Sequence, residues 1–238
     1  MNGLLLCCRF SDVTNRLNYC GPLRAFEVFE RFIKTGEGER EVRDLLSRFE
    51  SVFPYLQLIA RKHNLSPFDE RVVEAYWLGN ELLDAFTVDD FREFLVELGT
   101  RGLPSDIVKK LQDKVPVGAL PCHAFHVLFV GVGRVTGKVP TNQDNMTKCL
   151  ISSGEVVEVL GPAEVSVRRL SLTPCDGGWC LAPADVAVVY NPEFLKPVVG
   201  DVVAVHWNHA VHVIDKMQAE NVKVYTQKAI DAVNSVFQ

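Results

Sequence analysis

The chain has 238 residues, of which 47% are hydrophobic and 23% are charged, and its formal net charge at pH 7 is −5. This composition is ordinary for a globular protein, and the length is sufficient for one large or two small cores. No apolar run approaches the roughly 18 residues of a membrane span, and no basic block interleaved with aromatics indicates nucleic-acid binding. We therefore expect a soluble, cytoplasmic protein whose partners include neither nucleic acid nor a membrane.

The seven cysteines are scattered along the chain and do not form a dense framework. This usage fits a reducing compartment, where thiols are kept for burial, metal binding or chemistry. Cys175 and Cys180 flank an Asp-Gly-Gly turn. Because no second cysteine pair follows, this segment favours a plain hairpin over a zinc site.

The first half of the chain shows apolar residues at helical spacing between Gly, Pro and Asn punctuation. Residues 9–22 are predicted to form a polar, aromatic loop that ends at Cys20, just before a helix. Four helices are predicted, at residues 23–33, 42–59, 66–86 and 87–98. The second is expected to break near Pro54. Ser66 is predicted to cap the third, and Thr87, with Asp90 three residues later, is predicted to cap the fourth. The helical bundle is expected to end near Leu111.

The second half changes to short Val-rich runs separated by Gly and Pro, which is typical of strands and turns. Residues 125–135 are predicted to form a strand, and residues 137–145 a linker. Five further strands are predicted at residues 154–160, 163–172, 179–183, 186–190 and 201–206. Closing these strands into a small barrel would remove exposed edges. Helical spacing near the C-terminus predicts a final helix.

These elements together predict an α+β fold. We expect an N-terminal helical domain at residues 1–120, a bridging strand and linker at residues 121–145, and a β-barrel domain with a terminal helix at residues 146–238.

Two segments of the second half contain residues that can hold a transition metal. Cys149 and Leu150 precede Gly154 and a Val-rich run, and His206 lies within residues 200–215, which carry an aspartate near each end. A soft thiolate and an imidazole are suitable donors for such a metal. Over residues 149–238, this order and spacing resemble the HypC/HupF family of nickel–iron hydrogenase maturation chaperones.

The resemblance implies an OB-like barrel and a protein that carries iron. The partners implied are a maturation scaffold protein and a hydrogenase large-subunit precursor that receives the metal. In this interpretation Cys149 is the thiolate ligand, and His206 is a second ligand or orients the site. One Cys and one His leave the coordination sphere incomplete, which suits a carrier. The family keeps its cysteine at the chain start, whereas Cys149 is internal. The leading interpretation is thus a non-catalytic metallocentre-assembly or carrier protein.

A local donor cluster, Cys122, His123 and His126, leaves alternatives open. These residues would extend the metal site if they lie against Cys149, or merely satisfy backbone groups at a domain seam. If His123 or His126 lies against Cys20 instead, the protein is a cytosolic enzyme with Cys20 as nucleophile and a histidine base, since a thiol before a helix N-terminus tends to ionise. A third interpretation is a metal-free adaptor that binds other proteins.

Residues 9–22, 72–80 and 121–127 also make the whole chain resemble a prokaryotic family of unknown function. That resemblance implies no activity.

Overall fold

The computed structural model describes residues 2–236, which form an α+β fold in which most helices precede a sheet and one follows it. The α-helices are α1 (Gly3–Arg16), α2 (Ala25–Thr35), α3 (Glu39–Ser47), α4 (Val52–His63), α5 (Glu70–Trp77), α6 (Val88–Thr100), α7 (Ser105–Gln112), α8 (His123–Phe125), α9 (Gln143–Cys149) and α10 (Lys216–Asn234). A 3-10 helix (Glu81–Ala85) follows α5, and a π-helix (His126–Gly131) continues α8. The strands are β1 (Ser152–Gly161), β2 (Glu164–Cys175), β3 (Gly178–Val189), β4 (Val202–His206) and β5 (His209–Val213).

The cap predicted for α6 is confirmed. The Thr87 hydroxyl accepts from the Asp90 N–H at 3.2 Å, and the Asp90 carboxylate accepts from the Thr87 N–H at 2.8 Å. This reciprocal pair satisfies two backbone donors that the first turn of a helix leaves without partners. The predicted C-terminal helix is also present, as α10.

The loop predicted for residues 9–22 is wrong over most of its length, because α1 runs from Gly3 to Arg16. Several polar side chains of this segment are buried in the protein. Asn15, which is 4% exposed, donates its side-chain amide to the carbonyls of Cys20 and Pro22 and so fixes the turn that follows the helix. Buried polar groups must find such partners, and a polar sequence can therefore form a buried helix.

The bridging strand predicted for residues 125–135 is also wrong, since α8 and the π-helix occupy this segment up to Gly131. Residues 125–131 are buried at every position. A short apolar run buried on all sides has no periodicity that distinguishes a strand from a helix.

Several other boundaries differ from the predictions. Residues 42–59 divide into α3 and α4 before Pro54, and residues 66–86 form α5, capped by Asp69, followed by the 3-10 helix. The two strands predicted within residues 179–190 are one continuous strand, β3, and β5 was not predicted. Cys149 ends α9 and does not open a strand.

The strands of residues 2–236 are ordered β1-β2-β3-β5-β4, and β1 also pairs with β4, so that the sheet closes on itself. Neighbouring strands are antiparallel except β3 and β5, which meet in parallel at Val189 and His209. A small valine-rich cluster fills the closed sheet, and a larger core extends from Leu4 in α1 to Val233 in α10. Within the described residues, no helix has both the length and the apolar character needed to cross a bilayer.

Candidate metal centre

Three separate elements bring a thiol and two imidazoles together. The Cys149 Sγ lies 3.7 Å from the His123 Nε2 and 4.0 Å from the His206 Nε2. The three potential ligand atoms all lie within 4.8 Å of one another. Tetrahedral bonds of roughly 2.0–2.3 Å would place two ligand atoms roughly 3.3–3.6 Å apart, so a small contraction would allow all three residues to bind one ion.

The β4–β5 turn positions this cluster. His206 is the last residue of β4, and Trp207 and Asn208 both have positive φ angles, 50° and 57°, as a tight two-residue hairpin requires. The Trp207 N–H donates to the Lys148 carbonyl at 2.6 Å, which fixes the turn to the end of α9 beside Cys149. A positive φ is uncommon for a bulky residue, and such backbone strain is often found at functional sites.

His206 is oriented as a metal ligand would be. Its Nδ1 lies 3.0 Å from the Phe10 carbonyl in α1 and must donate to it, because a carbonyl only accepts. In a neutral imidazole the Nε2 then carries the lone pair, and this atom faces the Cys149 sulfur. A backbone carbonyl that fixes the second ring nitrogen is the usual support of a histidine ligand.

His123 is held at both ring nitrogens. Its Nε2 donates to the Cys149 carbonyl at 2.9 Å, and its Nδ1 lies 3.3 Å from the Tyr76 hydroxyl. The hydroxyl can donate or accept. Reversing the hydrogen bond to Tyr76 would move the proton to Nδ1 and free Nε2 for an ion, at the expense of the bond to the carbonyl.

All three donors are shielded from solvent: His206 is fully buried, His123 is 6% exposed and Cys149 is 8% exposed. Burial lowers the pKa of His123 to about 4 and that of His206 well below its ordinary value, while it raises the pKa of the Cys149 thiol well above 9.0. The imidazoles are therefore neutral, as metal ligation requires. The thiol keeps its proton until a cation displaces it.

A small cavity borders the cluster and provides about 40 Å³ of space for the centres of water molecules. The Trp207 indole lines it, and its N–H, buried next to the Cys149 sulfur, has no hydrogen-bond partner among residues 2–236. A thiolate at Cys149 would accept from this indole, which lowers the pKa of the thiol, although less than burial raises it. The orphaned donor fits a thiolate better than a neutral thiol.

This donor set fits a transition metal. One thiolate and two imidazoles suit zinc, iron or copper, whereas magnesium and calcium prefer oxygen ligands. Three protein ligands also leave a fourth tetrahedral position open, as in catalytic zinc sites.

The other predicted donors, Cys122 and His126, lie outside this three-residue cluster, as do the remaining histidines and cysteines of the second half. Cys122 precedes α8 as its N-cap residue. His126 lines the cavity, but its Nδ1 is engaged with the Tyr55 hydroxyl at 3.0 Å. His209 and His212 take no part in the metal-capable group found among the described residues. Cys175 and Cys180 are joined by a disulfide bond across the β2–β3 hairpin.

Cys20 lines the same cavity, but its predicted place just before a helix N-terminus is wrong. The next helix, α2, begins only at Ala25 with Arg24 as its N-cap residue, so Cys20 gains nothing from a helix N-terminus. Burial raises the pKa of its thiol to about 12. At neutral pH this thiol is protonated and is a poor nucleophile.

Comparison with known proteins gives a family but no function. No curated protein and no solved structure matches the chain. Nothing in the comparisons indicates the HypC/HupF relationship that the motifs around Cys149 and His206 implied. A family model matches residues 1–238. The chain therefore belongs to that family, a family of unknown function (DUF6390).

Proposed function

We propose that this protein is a metalloprotein with a buried transition-metal centre formed by His123, Cys149 and His206. The observation that carries the proposal is the convergence of three soft or borderline ligand atoms within 4.8 Å of one another. Each ligand comes from a different element, and His206 has the carbonyl support expected of a metal ligand.

The burial of all three donors favours a resident ion over a transported one. A carrier must release its metal to a partner, and here the ion would have to leave past the surrounding side chains of a small cavity. The open coordination position would accept water or another small exogenous ligand. Slow loss of the ion to a chelator supports a resident centre, and fast loss supports the carrier role.

Iron transfer to a hydrogenase precursor remains a narrower proposal that rests on the sequence resemblance. The strand order β1-β2-β3-β5-β4 with a parallel β3–β5 contact supports an OB-like barrel. A fold of this kind carries many unrelated activities, so it does not favour hydrogenase maturation over other roles of a metal centre.

Metal binding is expected to depend on Cys149. Titration of the metal-free protein with Co²⁺ under anaerobic conditions, with the Cys175–Cys180 disulfide intact and the other cysteines as free thiols, should give one bound ion per chain and a sulfur-to-cobalt charge-transfer band. Cys149→Ser should abolish the band and weaken binding at least about 100-fold, because a serine hydroxyl is a poor ligand for a soft ion. Zn²⁺ and Fe²⁺ should bind at the same stoichiometry.

The matched control is Cys122→Ser, which replaces a buried thiol outside the cluster. This variant should retain both the band and the stoichiometry. A Cys149→Ser protein that is folded by circular dichroism and binds Co²⁺ like the wild type would refute the proposal.

The indole of Trp207 is expected to strengthen the metal–thiolate bond. Trp207→Phe keeps the ring packing but removes the N–H, and a hydrogen bond to a charged group contributes about 1.5–3 kcal/mol. We expect Co²⁺ affinity to fall at least about tenfold and the charge-transfer band to move to lower energy. Trp179→Phe, in β3, is the control and should change neither quantity. Unaltered affinity and band position in Trp207→Phe would exclude this role.

A further inference from the structure

A second cavity is lined by residues of α1, β5, and the end of β3 with the segment that follows it. It provides about 320 Å³ of space for the centres of water molecules, which is sufficient for a small organic molecule. The apolar part of its lining includes Val13, Phe194 and Leu195, and the polar part includes Tyr190, Asn191 and Arg9. The cavity thus combines an apolar wall with one prominent cation.

Arg9 has a half-buried charge that no carboxylate among residues 2–236 neutralises. Its Nη1 reaches the Phe194 carbonyl at 3.4 Å, and its Nε is buried without any hydrogen-bond partner among residues 2–236. Among residues 2–236, no carboxylate forms an ion pair with the Arg9 guanidinium, and burial lowers the pKa of this group. A desolvated cation without a partner is costly, and guanidinium groups bind carboxylates and phosphates in a two-pronged geometry.

The other charges at this cavity are already paired. Asp12 and Arg16 also line it, but the Arg16 guanidinium donates to both Asp12 oxygens, at 3.3 and 3.4 Å, and also to Glu30. The Nδ1 of His209 is engaged with the Trp207 carbonyl at 2.7 Å. The unbalanced charge of the cavity is therefore that of Arg9.

A buried histidine near Arg9 gives no compensation. His212 is 8% exposed, and both its ring nitrogens lack a hydrogen-bond partner among the described residues. Burial lowers the pKa of His212 to about 4, and the charge of Arg9 contributes to this shift. Within the described part of the chain, the neighbourhood of Arg9 thus contains ring and guanidinium nitrogens without hydrogen-bond partners and no unpaired carboxylate.

We propose that this cavity binds a small organic anion whose carboxylate or phosphate group pairs with Arg9 while its apolar part packs against Phe194 and Leu195. The site is separate from the candidate metal centre and does not depend on it.

Binding can be tested with benzoate, phenyl phosphate and the neutral analogue benzamide at constant ionic strength. The resonance of the Arg9 side-chain Nε–H in nitrogen-15 spectra of the wild-type protein should shift with benzoate, phenyl phosphate or both, and not with benzamide. A response to benzoate alone identifies a carboxylate site, and a response to phenyl phosphate alone a phosphate site. In Arg9→Met, affinity for the responding anion should fall at least about tenfold.

The matched control is Arg168→Met, which removes an exposed arginine paired with Asp185. It changes the net charge by the same amount and should leave anion binding unchanged. The proposal is overturned if benzamide binds as well as the anions, if no anion shifts the Arg9 resonance up to about 10 mM, or if a folded Arg9→Met protein binds the anion like the wild type. If Arg9→Met does not fold, the proposal is tested by the wild-type protein alone, through the presence or absence of an anion-dependent shift of the Arg9 resonance.

Discussion

The unfolding free energy of the metal-free protein should fall by several kcal/mol between pH 7 and pH 5. The cause is a set of four buried imidazoles that are neutral in the folded protein, those of His123, His126, His206 and His212. Burial lowers the pKa of His123 and His212 to about 4, that of His126 to about 3, and that of His206 well below 6.5.

The sign follows from proton binding by the two states. In the unfolded chain a histidine takes up a proton near pH 6.5, whereas folded His123 takes one up only near pH 4. Between these values the unfolded state binds more protons, so stability falls as the pH falls. For His123 alone the loss is about 2 kcal/mol at pH 5. Asp12 acts in the opposite direction, because burial raises the pKa of its carboxyl, but it is a single group against four histidines.

Urea unfolding in the presence of a chelator at pH 7, 6 and 5 would measure this effect. His126→Phe should make the dependence on pH less steep, even though it lowers the starting stability by leaving the Tyr55 hydroxyl without its partner. Equal stability of the wild type at pH 7 and pH 5 would contradict the neutral burial of these rings.

Local chemistry made parts of the fold predictable, and burial hid others. The α6 cap depends on Thr87 and Asp90 alone, so the sequence was sufficient to locate it. Burial hides both the π-helix and α1 from sequence patterns, although in different ways. A valine- and phenylalanine-rich run buried on every side can be a strand or a helix, and the polar residues of α1 find partners only in the folded chain. Trp207 and Asn208 both adopt left-handed backbone conformations. Because neither residue is glycine, the sequence does not predict the tight turn that leads into β5.

The candidate site was partly visible in the sequence. Residue type and spacing single out Cys149 and His206, and His123 is recognisable as a local donor next to Cys122. Their convergence depends on the packing of α8, α9 and β4, which no short-range pattern encodes. The supporting groups, namely the Phe10 carbonyl, the Tyr76 hydroxyl and the Trp207 indole, were not identified. Each comes from an element distant in sequence from the ligand it contacts.

The affinity for Co²⁺ should increase about 100-fold between pH 6 and pH 8, one power of ten per pH unit. Over this range the Cys149 thiol is protonated, because burial raises its pKa well above 9.0, and both ligand imidazoles are already neutral. Binding therefore releases a single proton, the one from the thiol. A slope of one thus distinguishes this site from a surface site of ordinary histidines, whose proton competition ends above about pH 6.5.

Competition titrations against a chelator of known affinity, at half-unit steps of pH in non-coordinating buffers, would give the slope directly. Cys122→Ser should reproduce it, because the thiol it removes is not a ligand. A slope near zero would show that Cys149 is not deprotonated on binding, and a slope of two would show that a second group, such as Cys20 in the same cavity, also loses its proton. A slope near zero would require a different ligand set from His123, Cys149 and His206, and a slope of two would require either a fourth protein ligand or ionisation of a water in the open coordination position.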